Sequence, residues 1–241
     1  DAELEVHRLS DTAFVVTNVP FFASNVLVVR MPDGAVVLCS SPMETQSTRA
    51  LLAWIRAKLR PARIIALNTH FHFDGTGGNE AYREAGVVTY ASDMTQALLA
   101  QRGRAMKTEL ARDLDDAKMR ARIETLVVVP ADHTFPAHDG MRLSFGGEEV
   151  RVIYPGPAHS ADNVVVHFPA RALLFGGCMV KGTHAIGNIG GADLAHWVAS
   201  VESVRGLGAR TIVPGHGPVG GPELIDLTVS VVREALAAKQ D

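Results

Sequence analysis

Ile64-Ile65-Ala66-Leu67-Asn68-Thr69 runs directly into His70-Phe71-His72-Phe73-Asp74-Gly75. The first six residues read as a buried strand, and the next six set metal-ligating side chains at its mouth. Residues two apart on an extended segment point the same way, so His70 and His72 present two imidazoles to one cation and Asp74 continues the series with a carboxylate. Imidazole suits zinc, copper, iron and nickel, and a carboxylate is compatible with all of them. The box therefore announces a metal without choosing it.

Three later residues extend the set: His159 in Gly156-Pro157-Ala158-His159-Ser160-Ala161-Asp162-Asn163, Cys178 in Phe175-Gly176-Gly177-Cys178, and His216 in Val213-Pro214-Gly215-His216-Gly217-Pro218. Each adjoins a short β-like run and is flanked by glycine or proline, so each sits where a loop leaves a rigid sheet, the usual place for chemistry. Six ligands from four loops point to two metals. A structural zinc closes with four protein ligands, whereas a catalytic zinc keeps three and leaves a position for water. Two sets of three follow the second pattern.

The remaining composition narrows the setting. With 241 residues, 47% of them hydrophobic, the chain can bury a full core in one large domain or in two halves packed face to face. A net charge of -3, from 23 basic and 26 acidic residues, gives no support to nucleic acid or an anionic membrane as partner and suits a small substrate. No apolar run approaches the roughly 18 residues of a membrane span. The opening Asp1-Ala2-Glu3-Leu4-Glu5 lacks the basic and apolar segments of an export signal, which is expected to have been removed already. Cys39 and Cys178 are too few for a disulfide framework, and Cys39 in Ala35-Val36-Val37-Leu38-Cys39 reads as a small buried hydrophobe.

Residues 4 to 40 read as short strands, with a hairpin in which Asn25 to Arg30 and Ala35 to Cys39 flank Pro32-Asp33-Gly34. Leu51, Leu52, Ile55 and Leu59 share one face of a helix from Thr45 to Leu59. Glu80 to Glu84 reads as a short helix ended by Gly86. From Ser92 to about Leu126 the chain is helix-forming with charges of alternating sign, a solvated helical insertion in which Gly103 marks a break or hinge. Strands follow near 141 to 145, 149 to 154, 163 to 168 and 171 to 175, then a helix near 193 to 205, a strand at 210 to 213 and a closing helix from about 221. Two β-rich segments each followed by helices imply packed sheets with helices outside.

Competing motifs are weaker. Gly75-Thr76-Gly77-Gly78-Asn79-Glu80 lacks the last glycine of a dinucleotide loop, and no serine-nucleophile motif is present. His7, His133, His138, His167, His184 and His196 have no spaced partner and read as surface or core residues, with Asp132-His133 and His138-Asp139 in a polar loop.

The ordered set His70, His72, Asp74, His159, Cys178, His216 resembles that of the metallo-β-lactamases along nearly the whole chain. The resemblance implies an α/β fold of the four-layer αββα sandwich type, a single domain over 1–241 and two zinc ions. His70, His72 and His159 would hold the first, and Asp74, Cys178 and His216 the second. The cysteine is similar to the first subclass of class B. Lys181 looks like that subclass's receiver of the substrate carboxylate, and Asn188 in Gly187-Asn188-Ile189-Gly190 like its polarising asparagine. The stretch from His72 to Glu80, the Gly156 to Ser160 segment and the insertion after Ser92 resemble the São Paulo type.

Two places depart from the commoner pattern. An acid usual before the Thr-Pro pair is Ser40, and an arginine usual after the metal aspartate is Gly75, as if one supporting ion pair had been removed as a unit. The family's mobile hairpin loop is represented only by Val19-Pro20-Phe21-Phe22-Ala23-Ser24, so Phe21 and Phe22 are expected to touch substrate while the insertion walls the site.

The implied activity is hydrolysis of the β-lactam amide by metal-bound hydroxide, conferring antibiotic resistance, with Asp74, Lys181 and Asn188 as catalytic groups. A periplasmic, monomeric enzyme acting on a small molecule is implied with it. A related hydrolase of thioesters or lactones is the alternative. In those families a histidine commonly follows the metal aspartate and a carboxylate replaces the cysteine, so Gly75 and Cys178 disfavour it. An iron oxidoreductase of the same fold would usually carry an acid at the place of His72, and a zinc-storage protein is the bland remainder.

Overall fold

The structure, a computed structural model, describes residues 3–238. Its first half builds one sheet. Strands β1 (Leu4–Arg8), β2 (Ala13–Asn18), β3 (Ser24–Arg30) and β4 (Ala35–Cys39) form an antiparallel meander, the last hairpin turning through Gly34 at φ 82. Helix α1 (Thr45–Leu59) then carries the chain across to β5 (Arg63–Leu67), parallel to β4. Glu44 starts that helix by accepting from the Ser47 and Gln46 backbone amides, and Arg60 ends it in the left-handed region.

Beyond β5 come the short helices α2 (Phe73–Thr76) and α3 (Asn79–Glu84), then β6 (Val88–Ser92), α4 (Asp93–Asp113), α5 (Ala117–Thr125) and β7 (His133–Phe135). The parallel strands β6 and β7 complete a seven-stranded sheet. Neither strand is expected from the sequence, which places His133 in a loop. Each is short, and β7 pairs on one side only, so the pairing rather than the local pattern makes them strands.

The second half builds a five-stranded sheet from β8 (Met141–Phe145), β9 (Glu148–Ile153), β10 (Val165–Phe168), β11 (Leu173–Gly177) and β12 (Thr211–Pro214). Helices α6 (Leu194–Ser203) and α7 (Glu223–Ala237) cover it. Strand alternation decides the layers. In β3, Leu27 and Val29 face the second sheet through Val166, Phe168 and Phe175, while Val26 and Val28 face Leu51, Leu52 and Ile55 of α1. Val165 and Leu174 on the far side of the second sheet meet Trp197, Val201 and Val232. The result is a four-layer αββα sandwich, in which each fully buried leucine, valine or phenylalanine contributes roughly 1.5 to 3 kcal/mol.

Helices α4 and α5 form the insertion. Ser92 caps α4 by accepting from Thr95 N at 3.0 Å. The helix runs unbroken through Gly103, correcting the expected hinge. A Cβ at that position would lie 2.8 Å from Val128 Cγ1, so glycine there allows close packing. Phe21 also departs from expectation. It is wholly buried among Ala111, Leu114 and Ile123 of the insertion, with the Arg122 guanidinium 5.1 Å from its ring centroid, and so does not line the cleft. Two successive aromatic residues at a tight turn point in different directions, and Phe22, at φ 56, is the one left exposed.

Candidate metal centre

The ligand loops all leave the sheets at one edge, and backbone hydrogen bonds tie them to one another. Val164 N donates to Thr69 O at 2.8 Å, joining the His159 loop to the His70 loop, and Gly215 N donates to Gly177 O at 2.7 Å beside Cys178. Asn25 of β3 reaches across the sandwich, its Nδ2 donating to Pro214 O and Gly217 O at 3.0 and 2.9 Å, and thereby holds the loop bearing His216. Asn68 and Asn79 exchange side-chain hydrogen bonds at 2.9 Å, and Asn68 also donates to Gly75 O. That amide pair, invisible to motif reading, closes the turn carrying His70, His72 and Asp74.

Six side chains converge. Ligand atoms of His70, His72 and His159 lie within 4.8 Å of one another, as do those of His70, Asp74 and Cys178. His216 joins the second group through Asp74, its Nε2 standing 3.1 Å from Asp74 Oδ2, while Cys178 Sγ is 2.9 Å from the same oxygen. His70 thus touches both groups, whereas the sequence division gives it only to the first. The other six histidines fall outside both groups.

The chemistry of these atoms fits divalent metal. Metal ligands must be deprotonated. Burial, reinforced by the charge of His70, pushes His72 down to about 3, and burial with the same neighbour drives His159 well below the usual histidine range. Their facing nitrogens, His72 Nδ1 and His159 Nε2, are 3.0 Å apart. Burial alone would raise Cys178, but the charges of His216 and His70 outweigh it and its thiol titrates below the ordinary value. Burial likewise opposes the ionisation of Asp74, yet His70 and His216 hold it well below the carboxylate range. The same two anions offset burial at His216, raised to about 11, and at His70. Without metal these groups neutralise one another. A cation can replace those protons.

Room is as constrained as charge. A Cβ on Gly75 would stand 2.3 Å from His70 O, and one on Gly215 2.5 Å from Cys178 Sγ. The position expected to hold an arginine is thus closed to any side chain in this backbone, and Ser40, in place of the expected acid, hydrogen-bonds Thr69 at 2.6 Å instead.

A cleft of about 620 Å³ opens over the ligands, lined on one side by Phe22, Lys181 and Asn188 and on the other by the α4 face bearing Arg102, Met106 and Glu109. Lys181 is buried with its ammonium 5.0 Å from the Trp197 ring centroid. Burial lowers it below the usual lysine range, against the pull of Cys178 and Asp74. Trp197 is itself fixed by donating to Met179 O at 2.8 Å and stands edge-on to His159. Asn188 is exposed, and its Oδ1 accepts from Gly190 N at 2.9 Å, which orients the amide and leaves Nδ2 as a donor. Sequence reasoning missed Trp197 and Arg102. The first reads as core, and the second is one charge among many on the insertion.

Known proteins resemble this chain over nearly its full length. It is 29% identical to the metallo-beta-lactamase type 2 of Bacteroides fragilis, over 96% of this chain and 86% of that one. A metallo-beta-lactamase from Pontibacter korlensis superposes with a TM-score of 0.80 at 29% identity, covering 95% and 99% of the two chains. FIM-1 from Pseudomonas aeruginosa, solved in a mono-zinc form, gives 0.77 at 29% identity over 98% and 97%. The sequence pattern of the Metallo-beta-lactamase superfamily matches residues 19–216, taking in all six converging side chains. The chain belongs to that superfamily.

Proposed function

We propose that the protein is a zinc-dependent β-lactamase of class B, in the first subclass and nearest the São Paulo type, that opens the β-lactam amide without a covalent enzyme intermediate. The observation that carries the reading is the pair of ligand groups, one completed by Cys178, at the floor of a cleft that also presents Lys181 and Asn188. The names of its relatives support the metallo-β-lactamase part of that reading. Two zinc ions would be held by His70, His72 and His159 and by Asp74, Cys178 and His216. Bound there, zinc supplies a Lewis acid that brings the pKa of water from about 15.7 to about 7 and draws off negative charge.

The chain's own groups do the rest. Lys181 receives the substrate carboxylate by a charge-assisted hydrogen bond and sets its register. Asn188 Nδ2, aimed by the turn that holds Oδ1, donates to the lactam oxygen as charge develops on it. Asp74, buried between His70 and His216, orients the attacking water and can carry its proton toward the departing nitrogen. Phe22 and α4 narrow the access of bulk water, which strengthens each of these interactions. Acting as a periplasmic monomer, the enzyme would confer resistance to β-lactam antibiotics.

Turnover of a chromogenic cephalosporin tests the reading. Hydrolysis that adds one water to the substrate, stops with chelator and leaves the protein mass unchanged is expected. No ring opening by zinc-loaded protein, with hydrolysis of a thioester or lactone instead, would replace it with the related hydrolase.

A further inference from the structure

We propose that Arg102, on α4, is a specificity residue that receives a second anionic group of the substrate, carried on its acyl side chain. This rests on the β-lactamase reading. Among the described residues no carboxylate pairs with Arg102, and its guanidinium stands 5.2 Å from the ring centroid of buried Phe71. A cation–π contact of that kind anchors the guanidinium while leaving its donors free for bidentate contact with a carboxylate. Its position is close to the ligands. A Cβ on Gly191 would lie 3.4 Å from Arg102 Nη1 and 4.0 Å from His72 Nε2.

Two cations therefore bracket the loop from Gly187 to Gly191, since a Cβ on Gly187 would lie 3.9 Å from Lys181 Nζ. In a bicyclic β-lactam the nuclear carboxylate and the acyl amide flank the lactam carbonyl from opposite sides. A substrate with its carboxylate at Lys181 and its carbonyl over the ligands thus extends its acyl side chain away from Lys181, toward Arg102 beside His72. Glu109 lines the same cleft but sits seven residues along α4, about 10 Å up the helix axis, too far to neutralise Arg102.

The test uses two penicillins with the same phenyl side chain, one bearing an α-carboxylate and the other hydrogen at that carbon, on zinc-loaded wild type, Arg102→Ala and Arg102→Lys. The dianion-to-monoanion ratio of kcat/KM should fall by about threefold or more in Arg102→Ala, chiefly through KM, and Arg102→Lys should restore part of it. Added salt should compress the ratio in wild type and leave that of Arg102→Ala nearly flat. A smaller fall, a fall reproduced in full by Arg102→Lys, or a wild type that hydrolyses the monoanion and rejects the dianion overturns the proposal. Failure of wild type to open either penicillin overturns the β-lactamase reading itself, and this one with it.

Discussion

The ligand cradle and the insertion that faces it across the cleft are built on opposite plans. The cradle hangs from the ends of strands in both sheets. His70, Asp74, His159 and Cys178 are buried, and its loops are stitched together by Val164, Gly215 and Asn25. Helix α4 buries only Thr95, Leu99, Gly103 and Ala111 of its 21 residues, so most of its surface faces solvent or the cleft. Beyond the first turns of α4, where Thr95 donates to Asp162 and Gly103 packs against Val128, the insertion is fastened by the small cluster around Phe21 and by Arg122 of α5, which bonds Glu3, Glu44 and Ser47. Ligand geometry tolerates little displacement, whereas a wall that reads side chains can be softer, and local stability differs accordingly. The chemistry is assigned to the rigid region and discrimination among substrates to the looser one.

The sharpest break of that division would come from the cradle. His159→Ala should lower turnover by more than about a hundredfold, beyond what groups behind a metal ligand typically contribute, and reduce bound metal in parallel. Activity within tenfold of wild type would remove His159 from the chemistry. Cys178→Ser should lose the second zinc preferentially, because a soft thiolate is replaced by a poor ligand. Unchanged stoichiometry and rate would show Cys178 to be misplaced.

The insertion should respond differently. Arg122→Ala strips a partly buried cation from Glu3 and Glu44, a loss of roughly 3 to 5 kcal/mol at most, eased by the amides that still bond Glu44. Limited proteolysis should then cut between α4 and α5 while zinc content persists, and the ranking of β-lactams by side chain should change. Simultaneous loss of zinc and of the whole fold would mean that the two regions are one cooperative unit.

Lys181→Ala lies between the two. It should raise KM for carboxylate-bearing substrates more than it lowers kcat, by about ten- to a hundredfold, as for a charged hydrogen bond of roughly 1.5 to 3 kcal/mol. An equal effect on a substrate lacking the anion would count against its role.

The smallest effect is on pH. Hydrogen bonds from Arg122, partly opposed by burial, hold Glu3 below its ordinary value of 4.5. The stabilisation is then fully present above that value and is lost as pH falls through the lowered one. The protection of α5 amides, measured against their intrinsic exchange rate at each pH, should fall on acidification below about 4.5 in metal-free wild type and less so in Arg122→Ala. An equal loss of protection in both would detach Glu3 from the fastening.

The cradle was far more legible in the sequence than its surroundings. Histidines two apart at a strand mouth, and lone ligands beside glycine or proline, announce themselves by local spacing. The Pro32-Asp33-Gly34 turn between two apolar runs and the apolar face of α1 mark sheets with helices outside in the same way, whereas the four-layer sandwich comes with the family resemblance. What stayed hidden depends on distant partners. Phe21 is buried by residues some 90 positions later, Gly103 reads equally as break or as packing until Val128 is beside it, and the Asn68–Asn79 pair carries no pattern. Arg102 is indistinguishable from its charged neighbours until Phe71 lies beneath it.

Metal stoichiometry coupled to turnover tests the central claim most directly. Chelator-stripped protein, titrated with zinc while bound metal and chromogenic cephalosporin hydrolysis are followed together, should bind two equivalents and show no turnover until zinc is added. One tightly bound iron with no zinc, or hydrolysis that persists in the stripped protein, would contradict the assignment of the six converging side chains.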